Sequence, residues 1–236
     1  MKELKKRKFR YENKYIVNYT ELELLRHRIE EICEIDEYAE NGEYHIRSLY
    51  FDDYRGSSYF DNEIGVDPRE KYRIRIYNCS SDVIVLERKI KVNGKISKDR
   101  TPINKEILDA IMEDRPEDIN FGEDKPLLNR FLQAYESKYL RPRVIVDYIR
   151  EAYVSEIDDI RITFDKEISF SADVNGFLDP DLFLQPIMPV GKELLEVKFT
   201  EFLPKYVHQT LNLGKMQQST FSKYYLSEKT RREVEG

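Results

Sequence analysis

The chain has 236 residues, a length that suits one domain, and carries 39 Lys and Arg against 45 Asp and Glu, a formal net charge of −6. Hydrophobic residues make up 40% and include 17 Tyr and 12 Phe, which excludes a disordered acidic chain. No stretch approaches the roughly 20 apolar residues of a membrane span, and the acidic balance argues against general nucleic-acid binding. The basic start, Lys2 to Lys8, has no apolar segment behind it and reads as a solvated arm, not a secretory signal. Two cysteines make no disulfide framework, so a reducing, cytoplasmic setting is expected.

In chain order, period-two alternation predicts a first strand over 9–17. Thr20 and Glu23 fit a capping box that opens a helix running to about Ile35, with Leu22, Leu25, Ile29 and Ile32 as its apolar stripe. Strands follow at 45–52, 70–78 and 83–92, the last ending in the hairpin signal Asn93-Gly94. Helices are expected at 104–113 and at 126–140, the second opened by Pro126. Further strands cover 141–154, 160–170 and 193–199, and a short helix runs from Pro204 to Leu213, stopping at Gly214. With no linker or repeat, residues 1–236 read as a single α+β domain, mainly antiparallel.

The faces of these strands carry the functional signal. Residues i, i+2 and i+4 share a face. Lys71, Arg73 and Arg75 therefore lie opposite Tyr72, Ile74 and Ile76; Glu87, Lys89 and Lys91 lie opposite Leu86 and Ile90. Arg10, Glu12 and Lys14 oppose Phe9, Tyr11 and Tyr15, and Glu196 and Lys198 oppose Leu195, Val197 and Phe199. An antiparallel sheet with one wet face gives such alternation routinely. Here the charged faces are rich in Arg and Lys although the chain is acidic, and like charges facing each other across strands are destabilising. A closed antiparallel β-barrel of about eight strands, with helices packed outside and charges inside, accounts for both facts. A basic interior calls for a polyanion, and the interspersed Glu for a divalent cation bridging to it.

The segments KYRIRIY, LERKIK, DYIREAY, IRITFDKEI, LLEVKF and QQSTFSKYY, in that order, resemble the VTC (vacuolar transporter chaperone) domain, from about residue 8 to 226. This is the catalytic domain of polyphosphate polymerases, within the triphosphate tunnel metalloenzyme, or CYTH-like, superfamily. The resemblance implies a tunnel in which the ATP γ-phosphoryl group is transferred to a growing polyphosphate chain. It implies catalytic roles for Arg73, Arg75, Lys89 and Arg150, and phosphate binding by Lys14, Arg161, Lys198, Ser222 and Lys223. Glu196 is the implied carboxylate for Mn²⁺ or Mg²⁺, with Glu87 a second candidate. One departure is visible. Hydrolases and cyclases of the superfamily begin with Glu-x-Glu-x-Lys, whereas this chain reads Arg10-Tyr11-Glu12-Asn13-Lys14; a cation replaces a carboxylate, which favours the polymerase branch. With no regulatory domain or membrane span in the sequence, regulation or translocation is expected from partners, such as a membrane protein.

Alternatives remain open: an inorganic or nucleoside triphosphatase on the same fold, or a noncatalytic polyphosphate sensor. An RNA-binding sheet ranks low because its aromatics would need to lie on the charged face; the tyrosines are expected under the helices instead. Glu87 could equally pair with neighbouring Arg or Lys, and Tyr50 and Asp52 are assigned to packing. His27, His45 and His208 show no metal spacing, Cys33 continues an apolar helix side, and Cys79 lies near a turn without a partner motif. No phosphate-cradling Gly loop occurs.

Overall fold

The computed structural model describes residues 7–39, 41–120, 122, 125–155 and 159–235; most of the basic start therefore lies outside the described residues. The strands are β1 (Tyr11–Asn18), β2 (Glu34–Ile35), β3 (Glu43–Asp52), β4 (Arg69–Tyr77), β5 (Ser80–Val92), β6 (Lys95–Ile103), β7 (Arg141–Ser155), β8 (Ile160–Ser171), β9 (Gln185–Pro186) and β10 (Lys192–Phe199). The α-helices are α1 (Tyr19–Glu30), α2 (Ser57–Glu63), α3 (Lys105–Met112), α4 (Pro126–Ser137), α5 (Lys205–Thr210) and α6 (Lys223–Glu235). All seven expected strands are present. The Asn93-Gly94 turn between β5 and β6 has positive φ at both residues, and the Asp67 carboxylate accepts from both turn N–H groups at 2.9 and 3.1 Å.

The first helix departs from expectation at both ends. Asn18, not Thr20, is the N-cap: its side chain accepts from the Glu21 N–H at 2.9 Å, and Glu21 accepts from the Asn18 N–H at 2.8 Å. The helix stops at Glu30, and Glu34–Ile35 pair with β7 as a short strand. The helix expected to stop at Gly214 ends earlier, at Thr210, and a 3₁₀ turn covers Leu213–Lys215.

The sheet is ordered β1-β10-β8-β7-β3-β4-β5-β6, all pairs antiparallel, with β2 on β7 and β9 on β8. It does not close into the expected barrel. Its two edge strands meet at a single bridge, Arg10 with Ile96, through backbone bonds of 2.9 and 2.8 Å. Further along β1 the edge is taken by the C-terminal segment: Tyr15 bridges to Gln218, and the Ser219 N–H donates to the Lys14 carbonyl at 2.8 Å. With those groups satisfied, β6 has no free edge to pair with there.

Three apolar clusters hold the sheet. The outer face of β3 to β6, with Leu49, Ile74 and Leu86, packs under α3 and α4 through Leu108, Leu128 and Phe131. The outer face of β1, β8 and β10, with Val17, Phe164 and Leu195, packs under α1 and α5 through Leu22, Ile29 and Val207. The third cluster, Val144, Val146 and Tyr148 with Phe221 and Tyr224, lies on the same face of β7 as Arg150. Helices are thus not confined to the outside: the chain before α6 and the start of α6 pack against the inner face and leave the polar space beside them.

Candidate active site

The inner face forms a cavity of about 70 Å³ with an open mouth. β1 supplies Glu12 and Lys14, β3 Tyr50, β4 Lys71, Arg73 and Arg75, and β5 Lys89. β6 supplies Lys98, β7 Tyr148 and Arg150, β10 Glu196, and the C-terminal segment Ser222, Lys223 and Tyr224. The period of two delivers these residues: each strand with two or three of them contributes alternate positions. Eight Lys or Arg side chains face two carboxylates, in a protein whose net charge is −6.

The arginines are fixed from behind. Arg73 donates from Nε to Glu87 Oε2 at 2.7 Å and to the Tyr50 hydroxyl at 2.8 Å. Arg75 donates to Ser48 Oγ at 3.2 Å and the Tyr148 hydroxyl at 3.1 Å, with the Glu87 carboxylate at 3.9 Å. Arg150 is held bidentately by Asp165 at 2.5 and 2.7 Å. Bidentate pairing orients a guanidinium as well as neutralising it. The Asp165 carboxylate, fully buried, also takes Lys223 at 2.5 Å.

Lys14 Nζ sits between the two cavity carboxylates, 3.1 Å from Glu12 and 3.3 Å from Glu196, and donates to the Phe221 carbonyl at 2.8 Å. Burial alone would raise both carboxyls. Lys89 and Lys14 outweigh it at Glu12, and Lys198, Lys223 and Lys14 at Glu196, holding both well below the usual carboxylate range. The lysines of β4 to β6 have less support. Lys71 faces Lys89 across β4–β5, and Lys89 faces Lys98 across β5–β6. Of this row, Lys89 has the Glu12 carboxylate at 3.1 Å. Burial, Arg69 and Lys89 push Lys71 down to about 7.

The fold brings eight sequence-assigned residues to this one cavity: Lys14, Arg73, Arg75, Lys89, Arg150, Glu196, Ser222 and Lys223. Three others stand off its wall. Glu87 is buried behind Arg73 and also takes Arg100 at 3.0 Å. Lys198 pairs with Glu196 at 2.7 Å. Arg161 pairs with Asp36 at 2.5 Å and donates to the Tyr44 hydroxyl at 2.7 Å. Arg10 is drawn away to Asp159 at 2.7 Å. Sequence reasoning missed Glu12, Lys71, Lys98, Asp165, Tyr50, Tyr148 and Tyr224 as site residues. Glu12 and Lys71 lay on faces already recognised as charged, and Asp165 shares the Arg161 face of its strand. The tyrosines are not all outside: Tyr50, Tyr148 and Tyr224 line the cavity.

The VTC domain model matches residues 9–230. The chain belongs to the VTC domain family. Solved structures share the fold of this VTC domain. One is an adenylyl cyclase-like protein from Hippeastrum described as having a dominant triphosphatase activity, 13% identical, with a TM-score of 0.53 over 94% of this chain and 96% of that one. Another is an adenylate cyclase-like protein from Bacillus halodurans, 14% identical, TM-score 0.52, covering 92% and 95%. At these identities the likeness shows the fold. No curated protein matches significantly.

The family implies a divalent cation. Among the described residues, no three His, Cys, Asp or Glu side chains gather as a metal cluster. The VTC cavity offers Glu12 and Glu196, both reached by one lysine ammonium. A hard cation that takes one or two carboxylates and completes its shell with substrate phosphate fits such a set.

Proposed function

We propose that the chain is a polyphosphate polymerase, with ATP as phosphoryl donor and the end of a polyphosphate chain as acceptor. The observation that carries this reading is the excess of eight cations over two carboxylates inside a cavity of an acidic protein. Even with Glu87 and Asp165 pairing the arginines and Lys223 from behind, positive charge is in excess, which suits a ligand with several closely spaced negative charges.

The transferred group needs positioning and neutralisation more than covalent help. Arg73, Arg75 and Arg150 grip nonbridging oxygens with planar donors, while Lys14, Lys89 and Lys223 act as compact charges. A terminal oxygen of the acceptor attacks the γ-phosphorus, the bond to the β-phosphate breaks, and ADP leaves. The nucleophile is the acceptor itself, so no Ser, Cys or His is needed. Glu12 and Glu196 would hold the divalent cation, Mn²⁺ or Mg²⁺, which supplies Lewis-acid neutralisation of phosphate oxygens. Glu87, enclosed by arginines, serves as their orienting partner. Arg10 in place of a carboxylate supports the transferase over the hydrolase.

The second reading is a triphosphatase, favoured by the fold likeness to the Hippeastrum protein with its dominant triphosphatase activity. Incubation of purified protein with ATP and Mn²⁺ separates the two. A ladder of long phosphate polymer on a gel supports the polymerase. Stoichiometric release of orthophosphate without polymer supports the triphosphatase, and tight tripolyphosphate binding with neither product leaves a sensor.

A further inference from the structure

A second chemical cluster sits where β4 turns into β5, on the side of the sheet away from the cavity. Asn78 and Cys79 have φ of 50° and 52° and close a two-residue hairpin between the facing residues Tyr77 and Ser80. Gly is the usual residue at the second of these positions, because a side chain there crowds the backbone. A cysteine held in such a conformation points to a use for its sulfur.

The sulfur has a base beside it. Cys79 Sγ lies 3.2 Å from His45 Nδ1. His45 Nε2 meets Asp147 Oδ1, and the buried Arg47 donates from Nε to Asp147 Oδ2 at 2.7 Å. Arg47 is anchored in turn on the Asp179 carbonyl at 2.5 Å. A carboxylate gripped by arginine accepts, so the imidazole carries its proton on Nε2 and turns the Nδ1 lone pair to the thiol. The turn is tied to the same strand: Asn78 Oδ1 accepts from the His45 N–H, and the Asn78 N–H donates to the His45 carbonyl, both at 3.0 Å. His45, Arg47 and Asp147 lie on strand faces opposite Ser48, Tyr50 and Tyr148, so the phosphate site does not use this cluster.

Thiol, base and orienting carboxylate in line form the arrangement of an activated nucleophile. We propose that Cys79 is a base-assisted thiol that exchanges with low-molecular-weight disulfides, with His45 as the base and Asp147 as the positioning residue. The Cys79 sulfur attacks one sulfur of the small disulfide. A new S–S bond forms as the old one breaks, the thiol proton passes to His45 Nδ1, and from there it goes to an alkyl leaving thiolate or, when the leaving thiolate is aromatic and weakly basic, to solvent. Cys79 is oxidised to a mixed disulfide and the other half of the reagent is reduced, so the disulfide is the only oxidant required. Burial raises the Cys79 thiol above its ordinary range, Arg47 opposing and Asp147 adding to it. The resting group is therefore S–H, and a neighbouring base is what makes it reactive. Cys79 is half-buried at a turn whose neighbour Asn78 is exposed, which admits small reagents.

The test is the reaction of the native chain with an aromatic disulfide that releases a coloured thiolate, the modified cysteine being assigned by peptide mass mapping. Cys33, buried and with its thiol pushed up to about 11 by burial, is the internal control. Cys79 is expected to react first, and on the order of tenfold faster in the folded chain than in the chain unfolded in urea at the same pH. His45→Gln is expected to remove that advantage with the circular dichroism spectrum unchanged. A folded-state rate equal to or below the unfolded one overturns the proposal without any variant, as does an unaltered rate in a folded His45→Gln protein.

Discussion

Arg75 and Glu87 show how differently two neighbouring charged residues are used. Arg75 rests on neutral hydroxyls, Ser48 and Tyr148, with its nearest carboxylate at 3.9 Å, so its charge is available to a ligand. Arg75→Ala is expected to lower turnover by about 10²–10³-fold, the range for removing one preorganised donor, while the melting temperature moves little. Steady-state kinetics beside thermal denaturation checks this; near wild-type turnover would remove Arg75 from the site. Glu87 is the opposite case. It lies buried among Arg73, Arg75 and Arg100, and although burial pushes its carboxyl up, those arginines hold it well below the usual range. A depressed carboxyl stabilises the fold above its unfolded value, and the contribution fades as pH falls through the folded value. Glu87→Gln should therefore destabilise the protein by about 3–5 kcal/mol in urea titrations near neutral pH, and the difference from wild type should shrink in acid. The Mn²⁺ concentration for half-maximal activity should stay unchanged. A large rise in that concentration would instead make Glu87 a metal ligand. Sequence alternation placed both residues on the charged side; which of them meets the ligand depends on side-chain partners from other strands, such as Arg100, that no local pattern carries.

At the scale of elements, the row Lys71, Lys89 and Lys98 across β4, β5 and β6 is the least satisfied part of the wall. Its depressed lysines fix a sign. Lys71, lowered to about 7 by burial and by Arg69 and Lys89, binds fewer protons folded than unfolded between about pH 7 and its ordinary value near 10.5. Stability of the ligand-free protein should therefore rise with pH through that window. Binding of an anion restores the charged form, so tripolyphosphate binding near pH 8 should take up protons. Calorimetry in buffers of different ionisation enthalpy measures the uptake, and Lys71→Met should reduce it while weakening binding. No proton uptake in wild type would mean that the row is already fully charged. Two of the three residues in this row were legible: Lys71 and Lys89 sit in clean alternation, but β6, which carries Lys98, does not. KISKDRTPI mixes charges with Pro102 and lacks an apolar face of period two, because an edge strand has less surface to bury. The helix α6 was equally hidden, since KYYLSEKTRREVE reads as a polar stretch whose buried residues become evident only against the inner face of β7.

For the whole molecule, the sequence carried the sheet, its two-faced strands and the sign of its interior, but not how the sheet ends. Closure is decided by contacts distant in sequence: one bridge from Arg10 to Ile96, and the C-terminal segment laid along the rest of the β1 edge. That segment also brings Ser222 and Lys223 to the cavity, so the last part of the chain both covers the edge and completes the site. A cavity of gathered cations inside an acidic exterior repels itself until an anion enters. A ligand that binds only the folded state adds RT ln(1 + [L]/Kd), roughly 2.7 kcal/mol at 100-fold saturation. For a chain of this size that corresponds to a rise in melting temperature of roughly 5–11 °C. Sulfate at matched ionic strength screens the same charges but spans one subsite, so its shift should be clearly smaller. The comparison isolates geometry from screening: equal shifts for the two anions would mean that the cations act as a diffuse field, and a larger shift for tripolyphosphate means that they are spaced for a chain of linked phosphates.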